Sequence, residues 1–210
     1  VFAELEINLP NTWSDMFNIL PILQNNKMDI AFPSNLGGTI FTLYQMGGEL
    51  YADDGKRINL DSNLALTAFS TICDLFTAYR FPVSYDFPTR FRTGEMPLGI
   101  VDYTTYNTLI VYASELANLW EMVPVLGWER DDGTVSHISP AGVSAVVMPR
   151  GAKNLESAWK LIGWFTDAKP QAQYANELVA VMGPAAEYNT ANMEALAELP
   201  WTASEYKALQ

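Results

Sequence analysis

The strongest constraint on the fold is an alternation of short apolar runs with longer amphipathic segments. Apolar runs at residues 28–32, 98–101 and 142–148 each end at a proline or an aspartate. Runs of this length and composition are typical of β-strands, and the run at 98–101 suits a strand buried on both faces. The segments between these runs carry apolar residues at the spacing of a helix face. Strands that alternate with helices in this way predict an α/β domain.

Capping and turn residues predict where several of these elements begin. Thr12 followed by Asp15 has the form of a capping box at a helix start. Asp61 and Asn154 each precede an amphipathic segment and are predicted to cap its helix. The sequence also predicts two hairpins with Asp-Gly turns, at residues 50–60 and 131–138. It predicts a helix at 108–119 and an edge strand at 121–126.

A polar and aromatic stretch follows the run at 98–101. It contains one carboxylate, Asp102, and two phenol rings, Tyr103 and Tyr106, together with two threonines between them. Chain that leaves the carboxyl end of a strand is where open α/β sheets place their ligands. Two interpretations remain open from the residues alone. The stretch is either a ligand-binding mouth or an ordinary strand-to-helix loop whose tyrosines pack into the core.

The charge balance of the chain excludes some classes of partner. The 210 residues include 24 acidic and 12 basic side chains, which gives a net charge of −12 and a pI near 4.4. Such a chain cannot neutralise a run of phosphates, so nucleic acid is excluded as a partner. A polyanionic substrate is disfavoured for the same reason, whereas a neutral or cationic ligand fits. The length allows one large domain or two small ones.

The sequence offers little catalytic or cofactor chemistry. His137 is the single histidine, so no multi-histidine metal site can be built, and any Ser-His-Asp triad would have to use it. His137 falls in a predicted hairpin strand, and the sequence has no Gly-x-Ser-x-Gly motif. There is no glycine-rich phosphate loop for NAD or ATP. The acid pairs at 53–54 and 131–132 fall in predicted turns rather than facing each other across a cleft. We therefore predict no cofactor, no metal and no catalytic residues.

Aromatic residues are the chemistry that the sequence does offer. There are ten tyrosines, ten phenylalanines and six tryptophans. Flat rings on a cleft wall bind the apolar faces of sugars, while neighbouring polar side chains bind the hydroxyl groups. Most of these rings must lie in the core, but those predicted in loops are candidates for ligand contact, namely Tyr103, Tyr106 and Trp128.

Five short patterns, in this order along the chain, resemble the extracellular solute-binding proteins of ABC importers, the family that includes maltose-binding protein. They are Pro10–Asp15, Gly47–Gly48 with the hairpin after it, Phe91–Leu98, Val123–Val125 and Gly151–Trp159. The chain departs from the family where Pro97 replaces an alanine. It also lacks a tryptophan after the strand at 98–101, so stacking on a sugar would fall to Tyr103 or Tyr106.

The resemblance implies an α/β, periplasmic-binding-protein-like (type II) lobe, a mixed sheet flanked by helices. Members of the family have two such lobes and trap the ligand between them. By this resemblance, residues 1–101 and 141–210 would form the C-terminal lobe. Residues 102–140 would be a crossover excursion that normally belongs to the N-terminal lobe. Most of that other lobe, a signal segment and a lipid-anchor cysteine would lie outside these 210 residues.

The resemblance also implies a function without catalysis. The protein would capture a sugar or oligosaccharide and deliver it to the permease of an ABC importer, as a monomer in its full-length form. It would be extracellular, anchored as a lipoprotein, or periplasmic. The implied ligand contacts are as follows. Ser34 and Asn35 would hydrogen-bond the hydroxyl groups of the ligand, and Asp102 would accept two hydrogen bonds from it. Tyr103 and Tyr106 would stack on the sugar, and Ser139 would lie at the return crossover. Two alternatives stay open, a glycosidase-like α/β enzyme acting on carbohydrate and a non-catalytic interaction domain.

Overall fold

A computed structural model shows the chain as two compact units. Unit 1 comprises Val1–Asp102 and Val123–Pro140, and unit 2 comprises Tyr103–Met122 and Ala141–Gln210. The structure describes the residues 1–52, 54–142, 144–188, 190–202 and 205–207.

Unit 1 combines helices with short strands. In chain order its elements are α1 (Trp13–Asn25), β1 (Ile30–Ala31), α2 (Leu36–Gln45), β2 (Tyr51–Ala52), β3 (Arg57–Ile58), α3 (Asn63–Thr77), α4 (Phe87–Arg92), β4 (Leu98–Gly99), β5 (Trp128–Glu129) and β6 (Val135–Ser136). The strands β1 and β4 pair in parallel, while β2 with β3 and β5 with β6 form antiparallel hairpins. The two hairpins confirm the Asp-Gly turns expected from the sequence, although Asp53 lies outside the described residues.

The parallel pair brings two distant parts of the chain to one edge. Ile30 lies opposite Leu98 and Ala31 opposite Gly99, so the carboxyl ends of β1 and β4 point the same way. A Cβ added at Gly99 would lie 2.5 Å from Cε2 of Phe87 and 2.9 Å from Cβ of Ala31. Only glycine fits this approach without displacing its neighbours.

The core of unit 1 is built on α1. The helix begins at the predicted capping box, in which the Thr12 hydroxyl accepts from the Asp15 N–H and the Asp15 carboxylate accepts from the Thr12 N–H. Four side chains spaced as one helix face are buried on it, namely Trp13, Met16, Leu20 and Leu23. They pack with both strands of the parallel pair, and the Trp13 ring meets Phe32 edge-on at 5.5 Å.

A return segment, residues 123–140, is anchored on this core by a buried amide. Gln45 is fully buried, its Oε1 accepts from Nε1 of Trp13 at 2.9 Å, and its Nε2 donates to the Leu126 carbonyl at 2.7 Å. The Arg130 guanidinium donates to the Gln45 carbonyl at 2.8 Å, and the Trp13 N–H donates to the Gly127 carbonyl at 3.0 Å. The predicted crossover excursion grouped 123–140 with 102–122, whereas here 123–140 belongs to unit 1. The assignment of either unit to a lobe of the whole protein stays a prediction.

Three predicted elements of unit 1 need correction. Ser62 caps α3 instead of Asp61, because the Asp61 carboxylate is paired with the Arg57 guanidinium at 3.0 Å. The strand expected at 98–101 has two residues, both half-buried, because its one described neighbour, β1, is equally short. The expected strand at 121–126 does not form, and pairing begins at Gly127, which makes an isolated parallel bridge with Thr12 just before β5.

The regular elements among the described residues of unit 2 are all helices. Its elements are α5 (Tyr103–Tyr112), a 3₁₀ turn (Ser114–Leu116), α6 (Leu155–Thr166), α7 (Ala168–Met182), a second 3₁₀ turn (Pro184–Ala186) and α8 (Met193–Ala197). Asn154 caps α6 as predicted. The helix predicted at 108–119 instead begins at Tyr103 and ends at Tyr112. None of the helices in the described ranges combines the length and apolarity needed to cross a bilayer.

The strand predicted at 142–148 is absent from the described part of this segment. Val143 lies outside the described residues, and residues 142 and 144–148 have no strand geometry. A strand requires a neighbour to pair with its backbone groups. The described residues of unit 2 offer no such neighbour, which explains why the apolar pattern alone does not produce a strand here.

Candidate functional site

The polar residues predicted around the first sheet edge lie in unit 1. Ser34 and Asn35 follow β1, and Asp102 follows β4, so all three lie beyond the carboxyl ends of the parallel pair. The Ser34 hydroxyl donates to the Val83 carbonyl at 2.9 Å. Oδ1 of Asn35 caps α2 by accepting from the Gly38 N–H at 3.4 Å. The capping bond uses the side-chain oxygen, and the amide nitrogen of Asn35 carries two further donors.

Exposure separates these residues from the core. Ser34, Asn35 and Asp102 are all exposed, and so is Ser139 at the end of the return segment. Leu36, which is 61% exposed, lies at the same edge. The edge therefore presents polar and apolar groups together, as a surface that contacts a ligand or another part of a protein does.

The two predicted tyrosines belong to an aromatic cluster inside unit 2. Tyr103 and Tyr106 lie one turn apart on α5 and stack with ring centroids 5.9 Å apart. Trp201 contacts both rings at 6.0 Å, and Trp120 meets Tyr106 edge-on at 5.7 Å. Helix α5 thus carries the tyrosines, where the sequence had predicted a loop, and it buries Tyr106 while leaving Tyr103 half-buried.

A carboxylate is tied to this cluster. The Tyr106 hydroxyl donates to Glu205, and Glu205 also accepts from the Thr202 N–H at 2.8 Å and from its hydroxyl at 2.7 Å. Burial alone would raise the pKa of Glu205, but the hydrogen bonds from Thr202 and Tyr106 outweigh it and lower that pKa. The pKa of Tyr106 is raised, mainly by burial and to a smaller extent by its hydrogen bond to Glu205. At neutral pH the pair is therefore a neutral phenol and an ionised carboxylate.

Polar atoms with no partner among the described residues lie around the same rings. They are Oη of Tyr103, Oδ1 of Asn107, Oε1 of Glu187 and Nε1 of Trp201. Burial and the negative charge of Glu205 raise the pKa of Glu187. A buried polar group without a partner costs about 1–3 kcal/mol, so this set is an unusual concentration of unmet hydrogen-bonding capacity.

A cavity of about 350 Å³ opens beside the cluster within unit 2. Aromatic and aliphatic side chains form most of its wall, including Tyr106, Trp120 and Leu109. Five polar residues also line it, namely Ser114, Asn118, Glu121, Thr202 and Glu205. This size and this mixture are typical of sites for small ligands. Tyr103 does not line the cavity and lies behind Tyr106 in the stack.

A wider depression of about 540 Å³ lies at the β2–β3 hairpin in unit 1. Tyr44, Glu49 and Tyr51 form part of its wall. It contains none of the predicted site residues and no cluster of buried polar atoms, so the smaller cavity in unit 2 is the better candidate site. Within the described ranges, no three His, Cys, Asp or Glu side chains come together as a metal site requires.

Sequence reasoning identified part of this arrangement. It selected Tyr103 and Tyr106, but it missed Trp120, Trp201 and Glu205. A signal for Glu205 was available, because Thr202 and Glu205 have capping-box spacing and the Glu205 N–H does donate to the Thr202 hydroxyl at 3.3 Å. Trp128, a third predicted ring, packs against the core of unit 1 instead. Ligand contact by the six predicted residues stays a prediction.

Two solved structures share this fold. An ABC transporter solute-binding protein from Thermotoga lettingae, bound with alpha-D-tagatose, is 18% identical with a TM-score of 0.56, over 84% of this chain and 48% of that one. An ABC substrate-binding protein from Listeria monocytogenes, in complex with cycloalternan, is 14% identical with a TM-score of 0.57, over 100% of this chain and 55% of that one. The chain thus spans about half the length of both proteins.

These similarities confirm the fold class predicted from the sequence, a periplasmic-binding-protein-like (type II) α/β fold. The model of one family, the bacterial extracellular solute-binding proteins, matches residues 2–201. The chain therefore belongs to the bacterial extracellular solute-binding protein family. Among curated proteins, none matches the chain.

Proposed function

We propose that this chain is part of a solute-binding protein that captures a sugar or oligosaccharide and hands it to the permease of an ABC importer. Membership of the family supports the class of function. The observation that carries the choice of ligand is the cavity of about 350 Å³ walled by Tyr106 and Trp120, with Glu205 and Thr202 at its polar side.

The composition of this wall suits a neutral, hydroxyl-rich ligand. The faces of the Tyr106 and Trp120 rings can pack on the C–H surface of a pyranose. The ionised Glu205 carboxylate accepts hydrogen bonds from hydroxyl groups and repels anionic ligands. Each sugar hydroxyl both donates and accepts, which suits a wall that carries the hydroxyl of Thr202 beside the carboxylate of Glu205.

The remaining predicted residues lie in unit 1 and are proposed separately, as ligand contacts of that unit. Ser34 and Asn35 would bind hydroxyl groups, Asp102 would accept two hydrogen bonds, and Ser139 would contribute from the end of the return segment. The exposure of Ser34, Asn35 and Asp102 beyond the carboxyl ends of the parallel strands β1 and β4 supports this role.

The proposed mechanism is capture without chemistry. The whole protein would exist in open and closed states, and a ligand that makes more contacts in the closed state shifts the population toward it. The importer would then recognise the closed form. The protein would act as a monomer on the outer side of the cell membrane, anchored as a lipoprotein or free in a periplasm.

One observation favours an alternative, an enzyme that hydrolyses carbohydrate. Glu187 and Glu205 lie near the same tyrosines, and their surroundings push their pKa values in opposite directions. Two carboxyl groups with separated pKa values are the pattern of an acid and a nucleophile in glycosidases. Against it, Oε1 of Glu187 is buried away from the cavity wall, and Glu205 is already engaged by Tyr106 and Thr202.

Isothermal titration of the natural protein with a panel of mono- and oligosaccharides tests the proposal. We expect heat of binding for at least one sugar and recovery of every sugar unchanged. Trp120→Ala should weaken binding by about tenfold or more, as expected when a ring is removed from a ligand-facing wall. The matched control is Tyr174→Ala, which removes an exposed ring on α7 that does not line the cavity. Binding to no sugar, equal affinities for both variants, or cleaved products would each contradict the proposal.

A further inference from the structure

Unit 2 contains four buried polar atoms that have no hydrogen-bond partner among the described residues. They are Oη of Tyr103, Oδ1 of Asn107, Oε1 of Glu187 and Nε1 of Trp201. Glu187 as a whole is only 7% exposed. Nearly all buried polar groups in proteins are hydrogen-bonded, either to protein or to ordered water. Four unpartnered atoms within one unit therefore indicate a partner that they share.

Contacts between the four side chains bring them together. Tyr103 and Asn107 are four residues apart on α5, the spacing of neighbours on one helix face. The Trp201 ring meets the Tyr103 ring edge-on, with centroids 6.0 Å apart. Nδ2 of Asn107 donates to the Glu187 carbonyl. Burial, and after it the negative charge of Glu187, raises the pKa of Tyr103. Each of the four residues is thus a neighbour of at least one other.

The hydrogen-bonding capacity of the four atoms determines what the shared partner is. Nε1 of Trp201 only donates, and the neutral Tyr103 phenol can donate as well. Oδ1 of Asn107 only accepts, and a carboxylate oxygen of Glu187 accepts. A cation cannot bind the Trp201 N–H, and an anion cannot bind the oxygens of Asn107 and Glu187. A water molecule accepts from two donors and donates to two acceptors at once, so it satisfies the whole set.

We propose that these four atoms bind one buried water molecule. The water accepts hydrogen bonds from Tyr103 and Trp201. It donates hydrogen bonds to Asn107 and Glu187. Buried waters typically make about three hydrogen bonds to groups that would otherwise be unsatisfied. None of the four residues lines the cavity of about 350 Å³, so the water site is separate from it and does not depend on the ligand. The water links α5 to the segments that carry Glu187 and Trp201, and it fixes Tyr103 in its stack on Tyr106.

Tyr103→Phe in the natural protein tests the proposal, because the sign of its effect depends on the water. The change removes only the hydroxyl. A hydroxyl bonded to the water contributes one buried hydrogen bond, so we expect its loss to lower the melting temperature by about 2 °C or more. A hydroxyl buried without a partner carries a desolvation cost, so its loss would raise the melting temperature. The matched control is Tyr174→Phe, which removes the hydroxyl of an exposed tyrosine on α7 and should cause no change.

A crystal structure of the natural protein without added sugar is an independent measurement, and it remains decisive if Tyr103→Phe does not fold. We expect one water within hydrogen-bond distance of at least three of the four atoms. A raised or unchanged melting temperature of Tyr103→Phe would overturn the proposal, and so would a shift equal to that of Tyr174→Phe. The absence of water from the site, or direct bonds from these atoms to other protein groups, would also overturn it. A sugar hydroxyl in place of the water would instead assign the four atoms to the ligand site and refute the proposal.

Discussion

Gln45→Leu is the substitution that most sharply tests how the return segment is held on unit 1. The change keeps the size of the side chain but removes both of its hydrogen bonds. It leaves Nε1 of Trp13 and the Leu126 carbonyl without partners, and these residues are only 4% and 6% exposed. Each buried group left unsatisfied costs about 1–3 kcal/mol. Because leucine is the more favourable residue to bury, we expect a net loss of about 2–4 kcal/mol in the unfolding free energy of unit 1.

The matched control is Gln24→Leu. Nε2 of Gln24 also donates to a carbonyl, that of Tyr79 at 2.7 Å, but this bond is exposed, so water replaces it when the amide is lost. Its cost should be no more than about 1 kcal/mol. Urea unfolding followed by hydrogen exchange on peptides from 13–25 and 123–140 separates unit 1 from unit 2. Equal losses for Gln24→Leu and Gln45→Leu, or an unchanged 123–140 in Gln45→Leu, would refute the reasoning.

Three further changes have expected outcomes. Gly127→Ala should destabilise unit 1 by about 1–3 kcal/mol in urea unfolding, since its Cβ would lie 2.3 Å from Val135, whereas Gly142→Ala, with open space around it, should not. Glu187→Gln should stabilise unit 2 in thermal melts at pH 7, because folding raises the pKa of the Glu187 carboxyl and so disfavours its ionised form. Below the ordinary pKa of 4.5 the carboxyl is protonated in both the folded and the unfolded state, so the stabilisation by glutamine should vanish there. Thr12→Ala should cost about 1–2 kcal/mol through loss of the α1 cap, read by urea unfolding, with no effect if the capping box is not formed.

Local signals predicted a large part of the fold. The capping box at Thr12 and the cap at Asn154 are fixed by residues within one turn, and both are present. The two Asp-Gly hairpins likewise depend on short-range geometry. Strands at 28–32 and 98–101 were predicted from the length and apolarity of both runs. Their parallel pairing with each other was not predicted, and only two residues of each run pair.

The errors lie where the partner is distant or absent. Nothing near Gln45 in the sequence points to Leu126, 81 positions away, so the anchoring of the return segment was not predictable. The run at 142–148 is strand-like in composition, but a strand needs a second chain segment to pair with. In the candidate site, Tyr106 was selected, whereas Trp201 and Glu205 were missed because they reach it from 95 and 99 positions further along.

The most direct test of sugar capture is a crystal structure of the natural protein with the sugar that binds most tightly. We expect an intact sugar ring packed within about 4 Å of Tyr106 and Trp120, with at least one hydroxyl hydrogen-bonded to Glu205. A sugar bound at a surface that includes neither ring, or one whose glycosidic bond has been broken, would contradict the account.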